Sequence, residues 1–196
     1  TWRWGGVTSL RPRPTATTLL AMVDSSIGGK TGLDTPAGKN LVGAFHQPKR
    51  VIVDLNVLST LPQREFVNGM AEVIKHGLLA DTDLLEKIEK GNWPAATESL
   101  HSVYSEIQAL VAQSIQVKIS YVQKDPFDEG IRKQLNMGHT FAHAIEKVSN
   151  NTIRHGEAVG IGMGVATAVA HNKGIIPDEI AEEIYDMLLA YDLLGF

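Results

Sequence analysis

The stretch 132–157, RKQLNMGHTFAHAIEKVSNNTIRHGE, constrains this chain more than any other. It gathers His139, His143, His155, Glu146 and Glu157 into one helix-length run and the turn after it. Written as a single helix, Arg132, Asn136, His139 and His143 follow at successive four- and three-residue steps. They would then share a face, with neighbours in the row about 5–6 Å apart at Cβ. Phe141, Ala142, Ile145 and Val148 take the other faces and form the expected packing surface. His155 follows the polar turn 149–152 at the mouth of another apolar helix, so a chain reversal there would return it toward His139. The grouping is that of a site.

Which site depends on what else the chain offers. With no cysteine among 196 residues, a disulfide framework and a thiolate-held metal are both excluded, so a metal would need His and carboxylate ligands. His139 and His143, four residues apart, can converge from one helix face, but a pair of surface or hydrogen-bonded core histidines gives the same spacing. Glu72 adds to the metal reading. It lies in an apolar stretch beside Ala71 and Val73, where an unpaired carboxylate is costly. A helix ion pair with Lys75, three residues on, is the simpler account of the same residue. His46, His101 and His171 have no partner pattern and read as structural or exposed.

A second constellation, Gly28-Gly29-Lys30-Thr31, resembles a phosphate loop. A Walker A motif would need glycine where Asp24 stands, so it is not one. Paired glycines still let backbone N–H groups approach an anion, with Lys30 adding charge. A tight turn with a solvated lysine is the plainer alternative. Lys39 and Asn40 follow on another glycine-punctuated stretch. Lys30, Lys39, Lys75, Lys118 and Arg132 could line one anion-binding cleft if the helices pack antiparallel, although Lys118 alone would read as a solvated helix residue.

Around these residues the chain changes character near residue 60. The run 17–23 is short and apolar, a strand or a pair of helical turns. Gly32, Pro36 and Gly38 predict loop for the segment that follows, and 51–54 predicts a strand. Helices are expected over 63–80 (apolar at Phe66, Met70, Val73, Ile74 and Leu78), 84–90, about 98–122, 155–171, and after Pro177. The fold class is therefore a small leading α/β region followed by an all-α domain. Charged content of 20% and a formal charge of −4, without a long run of either sign, point away from nucleic acid and membrane surfaces. No apolar run reaches a bilayer span and no signal-peptide pattern opens the chain, so a cytoplasmic address is expected.

Read as whole strings, TTLLAMVDSSIGGKTG, GKNLVGAFHQPKRVIVDLNVLSTLPQREF, NGMAEVIKHGLL, LNMGHTFAHAIE and RHGEAVGIGM resemble the 3-dehydroquinate synthase family. The likeness is to the form at the start of fungal pentafunctional arom polypeptides, and it runs from Thr17 to about Met163. The resemblance implies a shikimate-pathway lyase converting 3-deoxy-D-arabino-heptulosonate 7-phosphate to 3-dehydroquinate and phosphate, with NAD and one divalent metal, Zn2+ or Co2+. By the same resemblance, Glu72, His139 and His155 are the metal ligands, and His143 becomes an acid/base and substrate residue. Asp24, Lys30, Lys39, Lys75, Lys118, Arg132 and Asn136 line the substrate site, with Lys75 and Asp128 also catalytic. Thr17, Thr18, Ser25, Asn40, Thr60 and Leu61 contact NAD. A homodimer is implied, and so is a place within a multifunctional polypeptide.

The chain also departs from the family pattern. The Rossmann-like half that carries the nucleotide loop is missing, so 1–60 reads as a remnant of the nucleotide-binding domain with interdomain loops. Residues 61–196 read as a truncated helical metal- and substrate-binding domain, and the whole as a fragment. RWGGVTSLRPRPTA replaces the usual approach to the threonine pair, with Ala16 where proline is expected. Asp128, within Asp125-Pro126-Phe127-Asp128, stands where a glutamate proton acceptor is expected, one methylene short. Two alternatives remain: an inactive metal-binding or oligomerisation module, and a related sugar-phosphate cyclase or polyol dehydrogenase.

Overall fold

A computed structural model describes residues 15–35, 38–91, 93, 102–150 and 152–195, with backbone alone at 34–35 and 38–41. The expectations for residues 1–14, for the helix start at 98–101 and for His101 lie outside these. Strand β1 (Thr15–Ala16) pairs in parallel with β4 (Ile52–Val53). Between them lie a π-helical turn (Ala21–Ser25) and an antiparallel hairpin of β2 (Lys30–Thr35) and β3 (Gly38–Phe45). A 3-10 turn (Leu55–Thr60) leads to α1 (Gln63–Ala80), then α2 (Thr82–Lys90) and α3 (Tyr104–Lys124). A second 3-10 turn (Ile131–Asn136) precedes α4 (His139–Val148), α5 (His155–Asn172) and α6 (Asp178–Ala190). Among the described residues, no helix is long and apolar enough to cross a membrane.

Helix α1 is the axis of the molecule. Every residue from Asn68 through Gly77 is buried, so over that span it has no solvent face and its apolar residues are not confined to a stripe. Helices α2, α3 and α5 and the π-helical turn all pack on it. Polar Asn68, Glu72, Lys75 and His76 are carried into the interior with Met70, Val73 and Ile74. Each of those polar groups needs a partner there, and the partners they find make the site.

Helix α5 lies against both α1 and α4, as its small residues lead one to expect. A side chain on Gly156 would meet the Asn68 carbonyl of α1 at 2.0 Å, and one on Gly162 would meet the Gly138 carbonyl at 2.0 Å. The backbones touch at both places, and only glycine allows it. The Gly156 N–H donates to Asn68 Oδ1 at 2.5 Å, fixing the start of α5 on α1. Glu157 holds the same corner, accepting from Arg64 Nη2 at 2.8 Å and from the Arg154 N–H at 2.7 Å.

Three expectations need correction. Residues 132–143 are not one helix: the 3-10 turn ends at Asn136, and Gly138 takes φ +77° before α4 begins, so the face linking Arg132 and Asn136 to His139 and His143 does not exist. On α4, Ala142 is buried, but Phe141 is 39% and Val148 85% exposed, so they are not its packing surface. The segment after Gly28-Gly29 is the β2–β3 hairpin and not loop, while 17–23 takes the helical alternative.

Candidate metal and anion site

Three helices meet at Glu72. It comes from the middle of α1 and is fully buried. One carboxylate oxygen, Oε2, is ion-paired with Lys75 Nζ. The other, Oε1, has no hydrogen-bond partner and faces His139 Nε2 at 3.7 Å and His155 Nε2 at 3.5 Å. The ion pair with Lys75 is thus present on one oxygen, and the other oxygen faces the two imidazoles. His139 is the first residue of α4 and His155 the first of α5. Their rings stand 5.1 Å apart.

Each imidazole is held from behind. His139 Nδ1 lies 3.2 Å from the Met137 carbonyl, and His155 Nδ1 lies 3.2 Å from Glu146 Oε1. Both rings therefore turn Nε2 toward the same oxygen. Ligand atoms from Glu72, His139 and His155 all fall within 4.8 Å of one another. Tetrahedral ligands at ~2.0–2.2 Å from an ion stand about 3.3–3.6 Å apart, close to the spacing seen here, and the N/N/O donor set suits zinc. An orphaned buried carboxylate oxygen opposite two imidazole nitrogens is the arrangement a divalent cation would satisfy.

Burial is the largest influence on the Glu72 carboxyl and resists its ionisation. Lys75 and the two imidazoles outweigh it and hold the group well below the usual carboxylate range. Burial likewise works against charge on His155, but Glu146 and Glu72 overcome it and push the ring up to about 9. On His139 burial prevails and lowers the pKa, despite Glu72.

The charged network continues past Glu72. Asp24, on the π-helical turn, and His76, on α1, bring oxygen and nitrogen atoms within 4.8 Å of Glu72. Lys118, from α3, is buried, ion-paired with Asp24 and donates to the Asp24 carbonyl at 2.8 Å. It is not a solvated helix residue. His76 Nδ1 bonds Ser114 Oγ at 2.8 Å, while its Nε2 is buried without a partner. Burial first, then Lys75, pushes His76 down to about 4.

A third group forms around the glycine turn. Arg132 is buried and donates to the Gly28 carbonyl at 3.0 Å and the Pro126 carbonyl at 2.9 Å. Lys30 is ion-paired with Asp128, a non-glycine residue at φ +60° whose Oδ1 is buried without a partner. Thus Lys30, Arg132 and Asp128 come together, as do Asp24, Lys118, Glu72 and Lys75.

Other expected residues stand apart from these contacts. His143 is exposed and meets His139 only edge-to-face, at 5.6 Å between ring centroids. Asn136, Thr17, Ser25 and Thr60 are exposed, and Leu61 packs partly on the core. Thr18 Oγ1 accepts from the Ala21 N–H at 3.1 Å. Lys39 and Asn40 lie on β3 with side chains outside the described residues. Sequence reasoning counted Glu146 in the histidine-rich stretch without giving it a role, and missed His76. For Glu146 a signal existed: two helical turns beyond His139, it lies on the same face. For His76 there was none, since nothing at helical spacing marks Ser114 as its partner.

Comparison with known proteins identifies relatives of the chain as a whole. Curated 3-dehydroquinate synthases from Corynebacterium pseudotuberculosis and Legionella pneumophila strain Philadelphia 1 are 47% and 45% identical over 164 and 174 residues. These matches take in 84% and 88% of this chain but 44% and 46% of the relatives, so the chain spans about half their length. Among solved structures, 2-epi-5-epi-valiolone synthase from Streptomyces hygroscopicus, with NAD+ and Zn2+ bound, superposes with a TM-score of 0.83 at 27% identity, covering 91% of this chain and 49% of that one. A 2-deoxy-scyllo-inosose synthase complexed with carbaglucose-6-phosphate, NAD+ and Co2+ gives 0.75 at 27% identity over 91% and 47%. A family model described as the N-terminal part of 3-dehydroquinate synthase matches residues 6–68, and its C-terminal counterpart matches 69–194. The match runs well beyond 17–163 at both ends, and with the two models abutting along the chain it belongs to the 3-dehydroquinate synthase family.

Proposed function

We propose that this chain forms the metal- and substrate-binding part of a 3-dehydroquinate synthase, converting 3-deoxy-D-arabino-heptulosonate 7-phosphate to 3-dehydroquinate and phosphate. The observation that carries this reading is Glu72 Oε1, buried, unbonded and faced by two imidazole nitrogens at 3.5 and 3.7 Å. Glu72, His139 and His155 would hold one divalent ion, zinc or cobalt. When bound, the ion supplies Lewis-acid polarisation of a substrate oxygen, and NAD supplies a reversible hydride acceptor. Thr17, Thr18, Ser25, Asn40, Thr60 and Leu61 are the residues we assign to NAD. Residues 1–60 act as the nucleotide-side segment and 61–196 as the helical domain.

The chain's own groups perform the remaining work. Lys75 ties down Glu72 Oε2, leaving Oε1 in one orientation toward the imidazoles. Lys30, Lys39, Lys118 and Arg132, with Asp24 and Asn136, bind the phosphate and carboxylate of the sugar acid, so that binding energy positions the reacting carbons. Asp128 accepts a proton at its buried, unpartnered Oδ1. His143, exposed beside His139, moves protons between substrate and solvent. Lys75, buried beside Glu72, is the third residue we assign to catalysis. The protein works as a cytoplasmic homodimer, with a multifunctional polypeptide as one setting.

The structural neighbours favour a second reading in the same class, a related sugar-phosphate cyclase. Release of phosphate is measured with NAD, zinc and a panel of phosphorylated heptuloses and hexoses, alongside metal content. We expect dehydroquinate from the heptulosonate alone, with one zinc per chain that is lost in His139→Ala, His155→Ala and Glu72→Ala and kept in His143→Ala. Turnover of another sugar phosphate would select the second reading. Zinc binding with no turnover of any would leave a metal-binding module.

A further inference from the structure

We infer that Glu146 is a positioning residue for the metal site, holding the proton of His155 on Nδ1 so that Nε2 is presented to the ion. The inference rests on the metal-binding reading above. An imidazole offers one lone-pair nitrogen when neutral, and the hydrogen bond made by the other nitrogen decides which. Glu146 lies in the last turn of α4 and is only 6% exposed. Its Oε1 stands 3.2 Å from His155 Nδ1 on the first residue of α5.

His139 shows the same construction with a different acceptor. Its Nδ1 lies 3.2 Å from the Met137 carbonyl, and its Nε2 also faces Glu72 Oε1. The two rings are thus fixed from behind in parallel, one by a carbonyl and one by a carboxylate. Glu146 is not itself among the atoms that converge on the ion: that group is Glu72, His139 and His155. Placing a carboxylate where it is almost entirely buried is unfavourable unless it accepts hydrogen bonds. Its bond to His155 also ties the end of α4 to the start of α5.

The test uses the chain with zinc and three variants: Glu146→Ala, Glu146→Met and Glu146→Gln. Met keeps the volume and removes the acceptor, so it serves if Ala does not fold, and Gln restores an acceptor oxygen without the charge. Zinc affinity is read by chelator competition, the His155 tautomer by long-range proton–nitrogen correlation, and folding by circular dichroism. We expect the Ala and Met variants to bind zinc about 10–100-fold more weakly and Gln to recover most of the loss. Read in the zinc-free proteins at a pH where the ring is neutral, His155 should carry its proton on Nδ1 in the unmodified and Gln proteins and lose that preference in the other two. A folded Ala or Met variant with unchanged affinity and tautomer would overturn the inference alone. Failure of the unmodified chain to bind zinc would overturn both it and the reading beneath it.

Discussion

At the scale of single residues, the interior of α1 is a problem in charge placement. Glu72 and Lys75 are both buried, and Asp24 and Lys118 continue the alternation of sign beyond them. Each of these charges has an opposite charge adjoining it; removing one partner of such a buried pair typically costs about 3–5 kcal/mol. His76 solves the same problem by giving up its charge. Buried, with Lys75 beside it, the ring is held down to about 4 against 6.5 for an ordinary histidine. As pH falls below 6.5 the unfolded chain takes up a proton that folded His76 refuses, so stability declines until pH nears 4. Between pH 7 and 4.5 this one group should remove about 2 kcal/mol. Urea denaturation at the two pH values, on the unmodified protein and on His76→Gln, separates His76 from the other titrating groups. The variant should lose about 2 kcal/mol less on acidification; equal losses would show that His76 is not held neutral.

At the scale of elements, the decisive contacts are backbone to backbone. Helix α5 presses its glycines on α1 at Gly156 and on the turn before α4 at Gly162. Exposed alanine is the better helix former by about 1 kcal/mol, so propensity alone would favour Gly162→Ala. With the Gly138 carbonyl 2.0 Å from where the new methyl would sit, the helices must part, at about 1–3 kcal/mol or more. We expect a net loss of stability by chemical denaturation together with weaker zinc binding, since His139 begins one residue after Gly138. A variant as stable as the parent would mean that α5 stands off from that turn. The same contacts explain what could be read in the sequence and what could not. Helix α1 was legible because Thr60 and Pro62 mark its start and its apolar residues recur at helical spacing; its bounds are as expected. The break at Gly138 was not, because the periodicity of Arg132, Asn136, His139 and His143 persists in the letters after the backbone has turned through φ +77°. The hairpin was hidden for a different reason. Leu33 is 48% and Val42 59% exposed, so this ribbon leaves apolar side chains in solvent and writes no alternation of buried and polar residues. Glu72, His139 and His155 emerged from the family strings, whereas spacing alone favoured His139 with His143, which is exposed on α4.

At the scale of the whole molecule, the site is the point through which distant parts of the chain are tied. Glu72 lies on the central helix, and each histidine opens a helix that follows a change of chain direction. None of the three can keep its place if α1, α4 and α5 separate, so an ion bound by all of them would bind the folded chain and leave the unfolded chain largely alone. Such a ligand adds RT ln(1 + [L]/Kd) to folding free energy, about 2.7 kcal/mol when zinc is present at 100 times its Kd. For a chain of this size each kcal/mol moves the melting temperature by about 2–4 °C, giving a rise of about 5–11 °C. His155→Ala removes one ligand while leaving Glu72 and His139 in place, and should abolish most of that rise. His143→Ala, on the exposed side of α4, should retain it. Thermal melts by circular dichroism, with zinc and with excess chelator, would read all three proteins at once. If chelator left the melting point of the unmodified chain unchanged, the three helices would be held by packing and ion pairs alone, and Glu72 Oε1 would need another partner to account for its burial.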